Sequence, residues 1–144
     1  MRGRRIGRRY LLRLERGEEI VESLRTFVRR ERLPAGSLAG LGACDDVTVG
    51  FYDVGQKEYR KYRHRGNIEI LSLIGNIAWR GEEPVVHVHV SAAHETEGTF
   101  GGHLFSGIVS ATVEISVDPH DEKVERILDA EIGLPLLDLP LLSK

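Results

Sequence analysis

The chain has 144 residues, of which 41% are hydrophobic and 29% are charged. That length is enough for one domain with a hydrophobic core and too short for two. The formal net charge of -2 favours neither a nucleic acid, a membrane surface nor an acidic substrate as partner. The single cysteine, Cys44, excludes an intramolecular disulfide and predicts a small core residue in a protein of the reducing cytoplasm. No apolar stretch is long enough to cross a bilayer, so we expect no membrane partner.

Positive charge is concentrated at the beginning of the chain. Residues 1–13 hold six arginines and no acid, so the remaining 14 of the 20 Lys and Arg face 22 Asp and Glu. Apolar and charged side chains alternate over residues 9–14, which predicts a first strand half-buried against the core. We therefore expect a flexible basic arm over residues 1–8, followed by a single domain over residues 9–144.

One helix is predicted after this strand. Apolar residues recur at i, i+4, i+7 and i+8 from Ile20 to Val28, with charged residues on the opposite side. Glutamates open the segment and arginines close it, the order that the helix dipole favours. Pro34 then marks the end of the helix.

Short β-rich runs separated by turn residues fill most of the chain after residue 37. The polar run at residues 58–62 predicts an exposed or edge strand, and glycines predict a flexible loop over residues 95–102. The apolar tail at 133–142 contains prolines, and we expect it to pack along the domain or against a neighbouring subunit. The predicted fold class is α+β, a mainly antiparallel β-sheet with one major N-terminal helix packed on it.

The run from Asn67 to Trp79 is apolar on both predicted faces, as expected of a central strand. Strict alternation places three residues on one face (Ile68, Ile70 and Ile74) and three on the other (Leu71, Leu73 and Ile77). Gly75 within this run predicts a bulge or a close approach of another backbone segment.

Three of the six histidines lie close together in the sequence and suggest a metal site. His87 and His89 share one face of a predicted strand whose other face carries valines, and Gly101-Gly102 precede His103. Three histidines that leave a fourth position for water or substrate are typical of a zinc site. The alternative is a polar groove of hydrogen-bonded histidines. His94 is a secondary candidate, because the alternation of the strand places it on the same face as the valines.

Several blocks in order along nearly the whole chain resemble the PPC (plant and prokaryote conserved) domain family. The matching blocks are Leu41-Gly42-Ala43, Gly66 to Ile77, Pro84 to His89, Gly101 to Leu104 and Glu131 to Leu134. The resemblance implies a mainly antiparallel sheet, assembly as a homotrimer, and a divalent metal, zinc above all, on His87, His89 and His103. It would also place three such sites near the subunit boundaries of a trimer.

The same resemblance raises the question of DNA. In plants the domain follows an AT-hook, and prokaryotic members are commonly named DNA-binding proteins. Here Arg2-Gly3-Arg4 matches the centre of an AT-hook without its flanking prolines. Arg2, Arg4 and Arg5 are therefore candidates for salt-sensitive phosphate contacts, and the alternative is a solvated terminus without a partner.

Two functions stay open at this point. The first is a trimeric binding and assembly module with a metal site and DNA contact, and the second is a metal-dependent hydrolase. Hydrolysis would need a general base, for which Glu69, Glu95 and Glu97 are candidates, although the preferred explanation of each is a solvated acid or, for Glu69, a structural partner of an arginine or backbone amide. A cupin is disfavoured because Glu95 lies one position too far from His89. No sequence motif implies an organic cofactor.

The run of aromatic and basic residues at 59–65 admits two explanations. Aromatic side chains interleaved with basic ones suit a single-stranded nucleic acid. A charged, exposed hairpin explains the same pattern without any ligand.

Overall fold

A computed structural model describes residues 1–142. It confirms the predicted mainly antiparallel sheet with a helix near the N-terminus. The elements are β1 (Arg2–Ile6), β2 (Arg9–Glu15), α1 (Ile20–Glu31), β3 (Ala35–Asp53), β4 (Glu58–Arg80), β5 (Glu83–His94), β6 (Gly98–His120), β7 (Arg126–Leu128) and β8 (Pro135–Leu137). Within the described range, no helix has the length and apolar character needed to span a membrane.

Six antiparallel strands form the main sheet in the order β1-β2-β6-β3-β4-β5. β5 also pairs with β6, so β3, β4, β5 and β6 close into a ring in which β5 has a hydrogen-bonded neighbour on each side. Strands β7 and β8 form a separate two-stranded ribbon. Part of β4, residues 58–65, pairs with β3, whereas the pairing with β5 begins at Ile68, so this polar stretch is an edge as predicted.

Helix α1 packs on the sheet through its apolar side. Glu19 caps its N-terminus, because the carboxylate accepts hydrogen bonds from the backbone amides of Val21 and Glu22. The same carboxylate accepts a third bond, 3.0 Å long, from the amide of Gly107 in β6. The cap therefore also joins the helix to the sheet. Five helix side chains are buried: Ile20, Val21, Leu24, Phe27 and Val28.

The predicted division of faces in β4 is wrong. Ile70 and Leu73 are both buried, whereas Leu71 and Ile74 are 57% and 63% exposed. The cause is a register shift against β5 between Ile70 and Ser72, which reverses the alternation of the strand. β4 therefore buries one apolar face and presents the other outward.

The predicted free arm is wrong for residues 2–6. These residues form β1, which pairs with β2 in a register that sets Arg4 opposite Leu11 and Arg5 opposite Tyr10. Gly7, with a φ of 62°, allows the tight reversal that brings the two strands together. The N-terminal arginines thus lie on an edge strand.

The predicted loop at 95–102 is also mostly strand. Only residues 95–97 lie outside β5 and β6, and Gly101 and Gly102 pair with Ser91 and Val90. In the tail, residues 135–137 pack as β8 against β7, whereas Leu141 and Leu142 are 99% and 94% exposed. The tail therefore packs along the domain over only part of its length.

Candidate metal centre

Two neighbouring strands bring His87, His89 and His103 together. On β5, Val86, Val88 and Val90 are buried on one face, so the two histidines project from the other, as predicted. His103 lies on β6, directly opposite His89 in the antiparallel register. It is thus positioned by strand pairing and not by a glycine loop.

The three imidazoles form a compact triangle. Their ring centroids are 5.0 to 5.4 Å apart, and one nitrogen from each ring lies within 4.8 Å of the others. The Nε2 atoms of His87 and His89 are 3.2 Å apart. Two nitrogens bound to one tetrahedral zinc would be about 3.4 Å apart, given Zn–N distances of about 2.0–2.1 Å. The triangle could therefore hold a metal ion.

A buried polar atom without a partner also fits a metal site. Nδ1 of His103 is buried and has no hydrogen-bond partner among the described residues. Leaving a buried polar atom unpaired costs free energy. A role as ligand to a metal ion is one explanation of the missing partner.

Two of the rings are held neutral. Burial lowers the pKa of His87, and the charge of Arg126 and the neighbouring His89 lower it further. Burial is also the main cause that lowers the pKa of His103 to about 4, with additional contributions from the other two histidines, Arg126 and Lys61. Neutral imidazole is the form that binds metal, so these rings need not lose a proton first at neutral pH.

Arg126 is a site residue that the sequence did not reveal. Its Nη2 donates to Oδ1 of Asn76 at 2.7 Å and lies 3.1 Å from Nδ1 of His87. Arginine only donates hydrogen bonds, so His87 Nδ1 is the acceptor in this contact. Asn76 is itself the register partner of His87 across β4 and β5. No local motif marks Arg126, because only the return of the chain as β7 brings it to the histidines.

The candidate acids lie near the C-terminal end of β5, apart from the trio. Glu97 contacts His64 Nδ1 at 3.1 Å, and Glu95 accepts from the amide of Asn67 at 2.8 Å. Glu69 is exposed on β4, opposite Ala93 near the end of β5. Across residues 1–142, the metal-competent cluster around the trio contains histidines alone.

His94 has a structural role. It is only 9% exposed, its Nε2 contacts the carbonyl of Arg65 at 2.9 Å, and its Nδ1 accepts from the amides of Thr96 and Glu97. These bonds hold the turn between β5 and β6, and they leave neither ring nitrogen facing the trio.

The candidate DNA-binding arginines lie apart from the histidine strands, on β1. Arg2 forms an ion pair with Glu15 at 2.8 Å, and the Arg5 guanidinium lies 5.7 Å from the ring centre of Tyr10. Arg4 is exposed beside them.

Comparisons with known proteins agree with this architecture. A metal-containing protein of Archaeoglobus fulgidus superposes with a TM-score of 0.84 at 33% identity, covering 94% of this chain and 96% of that one. A candidate DNA-binding protein of Bacteroides thetaiotaomicron gives a TM-score of 0.91 at 28% identity, covering 95% and 96%. A plant- and prokaryote-conserved (PPC) protein of Pyrococcus horikoshii gives 0.85 at 34% identity, covering 94% of each chain.

A curated relative of different length and the family model complete the comparison. The bifunctional protein GlmU of Synechococcus sp. (strain JA-3-3Ab) is 33% identical over 108 residues, which are 74% of this chain but only 16% of that protein. The model of the Plants and Prokaryotes Conserved (PCC) domain matches residues 1–120. With its six-stranded sheet and paired histidine strands, the chain belongs to the Plants and Prokaryotes Conserved domain family.

Proposed function

We propose that this protein is a homotrimeric PPC-type binding and assembly module that holds a divalent metal ion, zinc above all, on His87, His89 and His103. The observation that carries the proposal is the convergence of three imidazoles from two paired strands, two of them held neutral by burial. The description of the Archaeoglobus relative as metal-containing supports it.

Metal content tests the proposal directly. Protein purified without a histidine tag or chelators is expected to carry zinc, or to bind it on addition, at one ion per chain. Replacing His87 or His103 with Asn should abolish that binding, whereas His120→Asn on an exposed surface of β6 should leave it unchanged. A wild-type protein that binds no divalent metal on addition contradicts the proposal.

A mainly apolar row on the outer face of the sheet supports the trimer. Residues directly opposite one another on paired strands share a face, and such pairs connect Leu11, Ser116, Ala39 and Ile74 across β2, β6, β3 and β4. Ile74 is in turn opposite His89. Leu11 and Ile74 are 50% and 63% exposed, as is usual for a surface that another protein covers. In such an assembly the metal centre would adjoin the subunit boundary.

Light scattering coupled to size-exclusion chromatography measures the oligomeric state. We expect a trimer for the wild type and a smaller species for Ile74→Asp, because a carboxylate on the apolar row would be buried in the interface. Val54→Asp, in an exposed turn, is the matched control and should remain trimeric. A monomeric wild type excludes the trimer.

Contact with DNA is a further element of the proposed function. Arg2, Arg4 and Arg5 lie exposed on β1 and could bind phosphate, and the Bacteroides relative bears a DNA-binding description. Binding of duplex DNA at two salt concentrations should weaken with salt and with the triple Arg→Gln variant, but not with Arg25→Gln on the helix. No association at low salt removes DNA as a partner.

A metal-dependent hydrolase is the second candidate. The favouring observation is that His89 is exposed, so that a metal on the three histidines would be open to a substrate. A bound zinc would supply a Lewis acid. Hydrolysis of ester or phosphate substrates by zinc-loaded wild type, lost in His103→Asn, would support this function. Absence of turnover across both substrate classes would leave the binding module.

A further inference from the structure

A buried cation lies beside the histidine trio. Arg126 is 9% exposed, and its guanidinium donates to the carbonyl of Pro135 at 3.0 Å and to Oδ1 of Asn76 at 2.7 Å. The segment before it is tied to β4 by a hydrogen bond from the amide of Trp79 to the carbonyl of Val124. Hydrogen bonds from the side chain, together with the one that ties the preceding segment to β4, therefore fix the position of the guanidinium.

This cation has no counter-ion in the described part of the chain. None of the ion pairs within 4.0 Å over residues 1–142 includes Arg126, and its buried Nε has no hydrogen-bond acceptor. Buried arginines are ordinarily paired with a carboxylate, since removing a charge from water is otherwise costly. Arg126 thus leaves a buried positive charge beside the trio that no described carboxylate balances.

Charge at the trio points the same way. Within residues 1–142, no acid joins the metal-competent cluster. Three neutral histidines contribute no negative charge to offset a divalent ion. With a divalent metal ion bound, the positive charges of the ion and of Arg126 would lie side by side. No residue of the cluster carries a negative charge that would balance them.

We propose that this centre takes a small oxyanion, the carboxylate or phosphate group of a small molecule, on the exposed side of His89, with Arg126 supplying the opposing charge from behind His87. The inference rests on the proposed metal site. It differs from a purely structural role for Arg126, in which the guanidinium only fastens the β7–β8 ribbon to β4. A fastening role predicts that the wild type and Arg126→Gln respond equally to anions.

Cobalt substitution provides a readout that is independent of turnover. The visible spectrum of the cobalt-loaded protein is titrated with sodium acetate, with inorganic phosphate and, as the uncharged control, with acetamide. The two anions distinguish a carboxylate ligand from a phosphate ligand. We expect a saturable spectral change with at least one anion and none with acetamide.

The Arg126→Gln variant should bind that anion about 10- to 100-fold more weakly, because the positive charge next to the centre is lost. Arg126→Lys keeps the charge and covers the case in which the Gln variant does not fold; it should retain most of the affinity. Arg60→Gln, an exposed arginine of the same β4 region as Lys61, is the matched control and should bind like the wild type.

The outcomes separate the two proposals. Failure of the wild type to bind cobalt overturns the metal site and this inference together. Cobalt binding without a response to either anion, or an equal response in Arg126→Gln, overturns the inference alone. A response to acetamide equal to that of acetate shows that charge is not recognised and has the same effect.

Discussion

His89 and His103 face each other as direct register partners on β5 and β6, with their ring centroids 5.4 Å apart. Their separation is therefore set by the main-chain hydrogen bonds of the sheet. A site built this way is preorganised before any ligand arrives, so that little ordering has to accompany binding.

The stability of the metal-free protein should depend on pH through His103. Its folded-state pKa of about 4 lies below the ordinary value of 6.5, so the unfolded chain takes up this proton first as the pH falls. The contribution of neutral His103 is complete above about pH 6.5 and is lost between there and about pH 4. The lowered pKa of His87 acts in the same direction.

Urea unfolding of metal-free protein at pH 7.5 and pH 5 measures this effect. His103→Asn should lose less stability on acidification than the wild type, and His120→Asn should behave like the wild type. Equal losses in the wild type and His103→Asn would show that folding does not lower the pKa of His103.

Gly75→Ala should destabilise the protein and weaken metal binding. A Cβ at this position would lie 2.2 Å from the carbonyl oxygen of His87 and 3.1 Å from Cα of Val88, so β5 would have to move. Overpacking of this kind costs about 1–3 kcal/mol or more. Thermal or urea unfolding, together with zinc titration, provides the measurement. Gly55→Ala, whose nearest neighbour is at 3.4 Å, is the control, and an equal effect in both variants would contradict the steric argument.

Glu19→Ala should destabilise the fold by about 1–2 kcal/mol, the cost of losing a good N-cap, and by more if the amide of Gly107 is left unpaired. Glu22→Ala on the exposed side of the same helix removes only surface ion pairs and should cost less than about 1 kcal/mol. Denaturant unfolding of the two variants compares them. A smaller loss for Glu19→Ala than for Glu22→Ala would show that the cap does not join helix and sheet.

Cys44 should resist thiol reagents in the folded protein. The thiol is fully buried, and burial is the main cause that raises its pKa to about 12, so almost no thiolate exists at pH 8. Modification by iodoacetamide should be slow in buffer and rapid in concentrated urea. Rapid labelling of folded protein would mean that β3 opens readily at this position.

The sequence was informative where alternation alone decides the geometry. Two histidines separated by one residue must share a face of a strand, and this placed His87 and His89 correctly. It was misleading where a register shift reverses the alternation, as at Ile70 and Ser72 of β4, since no residue type announces a bulge there. The position of His103 was inferred from flexible glycines, whereas those glycines are themselves paired strand residues.

Long-range contacts were beyond the reach of sequence patterns. Arg126 follows the last strand of the main sheet in a charged segment that suggested no ligand contact, and its position beside His87 depends on the return of the chain past Trp79. The basic N-terminus was likewise predicted to be free because pairing of β1 with β2 depends on a reversal at Gly7 and not on apolar patterning.

The histidines and Arg126 belong to parts of the molecule with different tolerance to change. His87, His89 and His103 are fixed in strands that have paired neighbours, whereas Arg126 stands on a three-residue strand of a small separate ribbon. A change in the ribbon could therefore alter the charge next to the imidazoles while the strand pairing that positions them stays intact.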